Sequence, residues 1–256
     1  MIIDEKFSRL SQLLGEDALS RLHKAKVTIF GLGAVGSFAL EALARSGIGE
    51  FILIDFDVVK PANFNRQLLA LEQNLDIPKV VVAQERVKKI NPRCKVKTPE
   101  LFADESNLEE ILLPSPGIVI DAIDSLKPKA DLVAFCVKQK LPFISSLGAA
   151  GRIDPFSVRV GELKEATNCS LGRRLRKRLK SKGVFQGVRC VYSTQEALNA
   201  KGEIVKDKKE YRRGRERVPI GSVSYMTGIF GLVVAYEVLK MILGEELSGC
   251  SLGRAE

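Results

Sequence analysis

The run Gly31-Leu32-Gly33-Ala34-Val35-Gly36 has the G-x-G-x-x-G spacing. That spacing permits a tight turn and close backbone approach to a phosphate, with the positive end of the next helix aimed at it. Such a loop needs a strand leading in and a helix leading out. Val27-Thr28-Ile29-Phe30 reads as the strand, and residues 37–46, with Phe38, Leu40, Ala42 and Leu43, read as a buried helix stopped by Gly47 and Gly49. Phe51-Ile52-Leu53-Ile54-Asp55 is a second strand ending in a carboxylate, where it can accept hydrogen bonds from ribose hydroxyls. Gly31, Gly33, Gly36 and Asp55 therefore mark a nucleotide site. They do not choose between NAD and ATP.

Other chemistries find fewer residues. The five cysteines, Cys94, Cys136, Cys169, Cys190 and Cys250, form no C-x-x-C pair, so half of a structural zinc site is missing and free thiols in a reducing cytosol are expected. Cys169 and Cys190 are the candidates for a thiol nucleophile, and both read better as partly buried thiols. The single histidine, His23, lies ahead of the first strand, which suits a surface or helix-end residue better than the acid–base group of a dehydrogenase.

Charge is distributed unevenly. Net charge is +9; residues 1–160 hold 21 Lys/Arg against 20 Asp/Glu, and residues 161–256 hold 19 against 11. Within residues 172–217 the balance is 16 to 5, so this stretch carries the excess and calls for a polyanionic partner. Arg173, Arg174, Arg176, Lys177, Arg178, Lys180 and Lys182 form a run without an acid, able to neutralise RNA phosphates, and residues 206–217 add a second cluster. Phe185, Tyr192 and Tyr211 are the aromatics among these charges.

The elements that must position these groups alternate. Leucines at 10, 13, 14, 19 and 22 fit helices on either side of Gly15; residues 79–89 read as a helix and 94–98 as a third strand; Ile118-Val119-Ile120-Asp121 reads as a buried parallel strand, 129–140 as a helix and 142–145 as a strand. This order predicts an α/β fold, a Rossmann-like, doubly wound and mostly parallel sheet with an N-terminal helical arm and an elaborated basic C-terminal region. One domain is expected: arm 1–26, nucleotide-binding core 27–160, basic substrate-binding region and C-terminal helix 161–243, tail 244–256. From 172 to 217 the pattern degrades into what reads as surface helix and mobile loop. Residues 226–243, interrupted by Gly228, Gly231, Tyr236, Glu237 and Lys240, read as a buried helix rather than a membrane span. The start of the chain lacks a basic stretch followed by an apolar run, so a cytoplasmic location is expected.

Beyond the phosphate loop, Asp55-Phe56-Asp57, Asn63-Phe64-Asn65-Arg66-Gln67, Ile77-Pro78-Lys79 and Asp121-Ala122-Ile123-Asp124-Ser125 resemble the family of ubiquitin-activating-type adenylating enzymes, over most of residues 7–160. The resemblance implies ATP and Mg²⁺ as cofactors, Gly31, Gly33 and Gly36 at the phosphates, Asp55 at the ribose, Asn63, Arg66 and Lys79 at the triphosphate, and Asp124 on the metal. It places Arg9 where the family sends an arginine into a partner subunit's ATP site, and implies a homodimer. Asp57 and Asp121 are expected to be structural. Adenylation independently asks for such parts: two anions meet when a carboxylate attacks the α-phosphate, so cations must spread the developing charge. No general base is required, because a carboxylate is already ionised at pH 7.

Further stretches resemble the branch of this family that acts on threonylcarbamoyladenosine in tRNA: residues 42–49, 90–94, 119–125 with Lys127-Pro128-Lys129, 148–155 and 189–196. That resemblance implies adenylation of the threonyl carboxylate of the modified base. The base's own ureido group then displaces AMP and closes a ring, so no enzyme cysteine is needed. The alternatives are an adenylyltransferase activating the Gly-Gly terminus of a ubiquitin-like sulfur carrier, with a sulfur-transfer partner system, and a nucleotide-responsive RNA-binding protein without catalysis.

Overall fold

The structure, a computed structural model, describes residues 5–99, 101–113, 115–198, 220–244 and 247. Tyr211, Cys250, the basic cluster at 206–217 and nearly all of the expected tail lie outside the described residues.

Helices α1 (Ser8–Leu14) and α2 (Glu16–Lys24) form the arm and turn at Gly15, whose φ of 87° favours a residue without a Cβ. Then follow β1 (Lys26–Phe30), α3 (Gly36–Arg45), β2 (Glu50–Ile54), α4 (Lys79–Ile90), β3 (Lys95–Lys97), α5 (Leu108–Leu112), β4 (Ile118–Asp121), α6 (Leu126–Lys138), β5 (Phe143–Ser146), β6 (Val158–Glu162), α7 (Ser170–Ser181), β7 (Arg189–Ser193) and α8 (Ser224–Leu243). The seven strands form one sheet in the order β3-β2-β1-β4-β5-β7-β6. All neighbours are parallel except β6, which runs antiparallel along β7. The order reverses between β1 and β4, which opens a crevice at the carboxyl ends of those strands.

Alternation along the strands fills two cores. Val27, Ile29, Phe51, Leu53, Ile118, Ile120, Ile144 and Val191 pack with α2, α3, α4 and α8 on one face. Val119, Phe143, Cys190 and Tyr192 pack with α5, α6 and α7 on the other. Helix α8 is long and apolar enough by length and composition to cross a membrane, yet its buried residues, among them Met226, Phe230, Val234 and Val238, belong to the first core. Its glycines are spent on the crossing with α3: a Cβ on Gly231 would lie 2.5 Å from the carbonyl oxygen of Val35, and one on Gly228 would touch Phe38. Glu237, only 4% exposed in this apolar helix, is paired with Arg189 at the start of β7.

The region expected to be surface helix and loop differs in its second part. Residues 189–193 form β7, a strand paired along its length with β6 and through Cys190 and Val191 with β5. Helix α6 begins three residues before the expected start, because Pro128 is compatible with a first helical turn. The sheet also continues across residue 160, within β6.

Candidate active site

The glycine loop leaves β1 at the carboxyl edge of the sheet, and the ladder continues beyond the strands to fix it. Gly31 donates to the carbonyl of Ile54 (2.9 Å), and Ala122 donates to that of Phe30 (2.8 Å). Gly31 has φ 91°, and an added Cβ would lie 2.8 Å from the Ala122 carbonyl oxygen; a Cβ on Gly36 would lie 1.8 Å from that of Gly31. Both glycines are required by the loop itself. Gly33 differs. Its nearest neighbour in that test is the Gln67 side-chain nitrogen at 3.8 Å, an ordinary contact, so the protein leaves open the space in which a ligand can approach the backbone.

Asp55, just beyond β2, is buried, and its carboxylate accepts from the Leu32 N–H (2.6 Å) and the Asp57 N–H (2.8 Å). It thereby ties the glycine loop to β2, and a carboxylate has further lone pairs for another donor. Burial pushes its pKa up, opposed by the Lys79 charge and the two backbone N–H groups. Because the raised value belongs to the folded state, this residue alone favours the fold as pH falls through that range and weakens it at higher pH, where the buried group is ionised.

Lys79 opens α4 and is 4% exposed, its Nζ 3.1 Å from Asp57 Oδ2 and its N–H donating to the Asp57 carbonyl (2.9 Å). Asp57, expected to be structural, is thus the partner that holds this lysine. Residues 61–68 lie across the loop: Leu68 donates to the buried hydroxyl of Ser37 (3.3 Å), and Asn65 Nδ2 reaches the Ser222 carbonyl (3.0 Å). Asn63 Oδ1 accepts from the Lys60 N–H (3.1 Å), whereas the Arg66 guanidinium is turned onto the Ala62 carbonyl (2.7 Å) and Asn65 Oδ1 (2.9 Å).

Asp124 is exposed in the β4–α6 turn, beside the glycine loop through Ala122. The turn is held from below. Asp121 and Lys129 have fully buried side chains 2.7 Å apart; Lys129 Nζ also reaches the Ile123 carbonyl (3.0 Å), while Asp121 accepts from the Ile123 N–H (3.1 Å) and the Ser145 hydroxyl (2.7 Å). Asp121, expected to be structural, thus holds the turn that carries Asp124. Lys129 was not singled out for a role. Its signal was a lysine immediately before the mostly apolar stretch Ala130 to Val137, five residues after Asp124.

Arg9 is exposed on α1, with Gln12 Oε1 at 3.5 Å as its hydrogen-bond partner, and the structure does not bring it to the glycine loop of its own chain. His23 packs edge-on against Phe7. Cys94, Cys136, Cys169 and Cys190 are buried free thiols; burial pushes Cys190 and Cys136 up to about 12 and Cys94 up to about 11, and Cys169 Sγ accepts from the Gly172 N–H. None of these thiols is poised as a nucleophile. Among the described residues no three His, Cys, Asp or Glu side chains gather to hold a metal ion.

The basic run on α7 divides. Arg176 bonds the carbonyls of Leu163 (2.8 Å) and Ala166 (2.9 Å), Lys182 pairs with buried Asp131 (2.9 Å), and the Arg178 Nε is buried. Arg173, Arg174, Lys177 and Lys180 are exposed, at spacings that share one helix face.

A phosphate loop at the switch point of a doubly wound sheet, with a carboxylate after the second strand, defines a nucleotide-binding α/β protein. The profile of the ThiF family matches residues 7–252, and the chain belongs to that family. It is 37% identical to the tRNA threonylcarbamoyladenosine dehydratase of Escherichia coli over 253 residues, 94% of each chain, and 32% identical to that of Bacillus subtilis over 240 residues, 93% of this chain and 94% of the relative. Crystal structures of the E. coli enzyme in complex with ATP and with AMP each superpose with a TM-score of 0.84 at 35% identity, covering 96% of this chain and 98% of that one.

Proposed function

We propose that this protein uses ATP to adenylate the threonyl carboxylate of N6-threonylcarbamoyladenosine in tRNA and then lets the base's ureido group displace AMP, closing a ring with net loss of water. The observation that carries this reading is the glycine loop locked to Asp55 and to the β4–α6 turn, in a chain that matches dehydratases of this kind along nearly its whole length.

In the first step a carboxylate oxygen bonds to the α-phosphorus and pyrophosphate leaves. Gly31, Gly33 and Gly36 cradle the phosphates, Asp55 accepts from the ribose, and Asn63, Arg66 and Lys79 neutralise the triphosphate as charge develops. Lys79 is pre-placed by Asp57, whereas Arg66 must leave its present backbone partner. Asp124 would hold Mg²⁺, which would supply charge to shield the phosphates. The residues fit that ion, since Mg²⁺ takes one or two carboxylates together with phosphate oxygens rather than a cage of protein ligands. In the second step the nucleophile is already on the substrate, so proximity replaces an enzyme thiol. That agrees with cysteines whose pKa values are pushed far above neutrality. A sulfur-transfer system would be a partner outside this chemistry, as no sulfur enters the product.

The working form in this reading is a cytoplasmic homodimer. Tyr225, Leu232 and Tyr236 stand exposed along one side of α8 and give a second copy an apolar face, and Arg9, remote from its own loop, is the residue a partner subunit would receive. The test is mass analysis of nucleosides from modified tRNA incubated with protein, ATP and Mg²⁺. Loss of one water from threonylcarbamoyladenosine with AMP release is expected, and Asp124→Ala should abolish it while leaving tRNA binding largely intact. Folded protein that leaves correctly modified tRNA unchanged would sink the reading.

A further inference from the structure

Phe156 is 86% exposed, more than any other large apolar side chain among the described residues. Packing does not explain it, and a mobile loop does not present it. It sits in a 3-10 turn (Pro155–Ser157) that Asp154 caps by accepting the Phe156 N–H (2.9 Å). Buried Ser157 donates to the Asp154 carbonyl (2.6 Å) and shares a hydrogen bond with buried Ser193 (2.7 Å), while Arg159 donates to the Phe156 carbonyl (2.6 Å). The ring is therefore held out into solvent by a corner anchored to β7.

Direction matters as much as exposure. Because β6 is antiparallel, its first residue lies beside Ser193, at the carboxyl end of β7. Phe156 thus stands on the same edge of the sheet as the glycine loop and Asp124, about 14 Å from β4 at three strand spacings. Among the described residues, the aromatics that accompany the basic run do not compete. Phe185 precedes the amino end of β7, on the opposite edge, and Tyr192 is only 7% exposed. Phe56 lies on the β2 side, with its ring edge-on to Phe102. Cations accompany Phe156: Arg159 is exposed three residues on, and α7, with exposed Arg173 and Arg174 in its first turns, starts at this same edge, where Asn168 Nδ2 bonds the Thr194 carbonyl (2.6 Å).

We propose that Phe156 stacks on an unpaired RNA base near the nucleotide being modified, with Arg159 on the adjoining backbone phosphate. A rigid, solvent-facing aromatic beside cations is how single-stranded bases are gripped, because every base has a face to stack. The assignment rests on the tRNA reading above and says how the RNA is held beyond the reacting base.

The chain has no tryptophan, so Phe156→Trp makes the sole tryptophan a direct reporter. Titrating that variant with threonylcarbamoyladenosine-containing tRNA should quench its emission. Phe156→Ala should weaken tRNA binding by about 5- to 150-fold while ATP affinity and melting temperature stay at the wild-type values. Wild-type tRNA affinity in Phe156→Ala, or emission unmoved by tRNA that does bind, overturns the assignment while leaving the dehydratase reading intact. Wild-type protein that neither binds nor modifies the tRNA overturns both.

Discussion

The two sides of the sheet carry charge in opposite ways. Around β2, β1 and β4 buried charges are matched: Asp55 between two N–H groups and near Lys79, Lys79 on Asp57, Lys129 on Asp121. Around β7, β6 and α7 the exposed cations Arg159, Arg173, Arg174, Lys177 and Lys180 stand toward solvent. The difference suits two kinds of anion. A triphosphate is small, and its reaction depends on placement to a fraction of an ångström, which a glycine loop, Asp55 and Lys79 already held by the protein can supply. An RNA backbone is long and repetitive, and exposed cations gain by releasing its counterions wherever they touch it.

The sharpest way to break this contrast is at Lys129. Lys129→Met leaves Asp121 as an uncompensated buried charge, a loss of about 3–5 kcal/mol in unfolding free energy. Adding Asp121→Leu replaces the pair with apolar groups and should restore most of the melting temperature. It should not restore ATP binding, because the bonds from Lys129 and Asp121 to Ile123, which set the turn carrying Asp124, are gone. Calorimetry of ATP binding to the double variant decides it: wild-type affinity would mean that the pair serves packing rather than placement.

A smaller effect separates the glycines. Gly36→Ala drives a methyl into the Gly31 carbonyl and should cost about 1–3 kcal/mol of stability along with ATP binding. Gly33→Ala has room for its methyl in the free protein, so thermal melting should hardly move while ATP binding falls at least tenfold, as the methyl occupies ligand space. Equal losses of stability in the two variants would show that Gly33, too, is there only for the turn.

The two sides also differed in how much of them could be read from the sequence. The glycine loop, β1, β2 and β4 were legible because short apolar runs, turn glycines and strand-end acids are local patterns. Lys79 was legible only through family likeness, since nothing local says that Asp57 will meet it. The Asp121–Lys129 pair depends on α6 folding back over β4, and a lysine in that position reads as surface until the crossover is seen. β7 was lost among basic residues: its Arg189-Cys190-Val191-Tyr192-Ser193 is strand-like only once Arg189 is known to be neutralised by Glu237 of α8. Phe156 gave no signal at all, because an aromatic after a proline says nothing about which edge of the sheet it will occupy.

The least drastic test lies on α7, where one uniform basic run became two populations. Replacing Arg173, Arg174, Lys177 and Lys180 one at a time should leave the melting temperature within experimental scatter and lower the salt dependence of tRNA binding by about one phosphate contact each. Arg176 and Lys182 should behave oppositely. Arg176→Ala strands two carbonyls and Lys182→Ala strands the buried carboxylate of Asp131, so each should lower stability by about 1–3 kcal/mol and leave the salt slope nearly unchanged. Paired measurements of melting temperature and of log affinity against log salt place each variant in one population or the other. If all six changes lowered the salt slope alike, charge on this helix would act as a diffuse field, and the contrast between a built site and an open basic face would lose its structural basis on this side of the sheet.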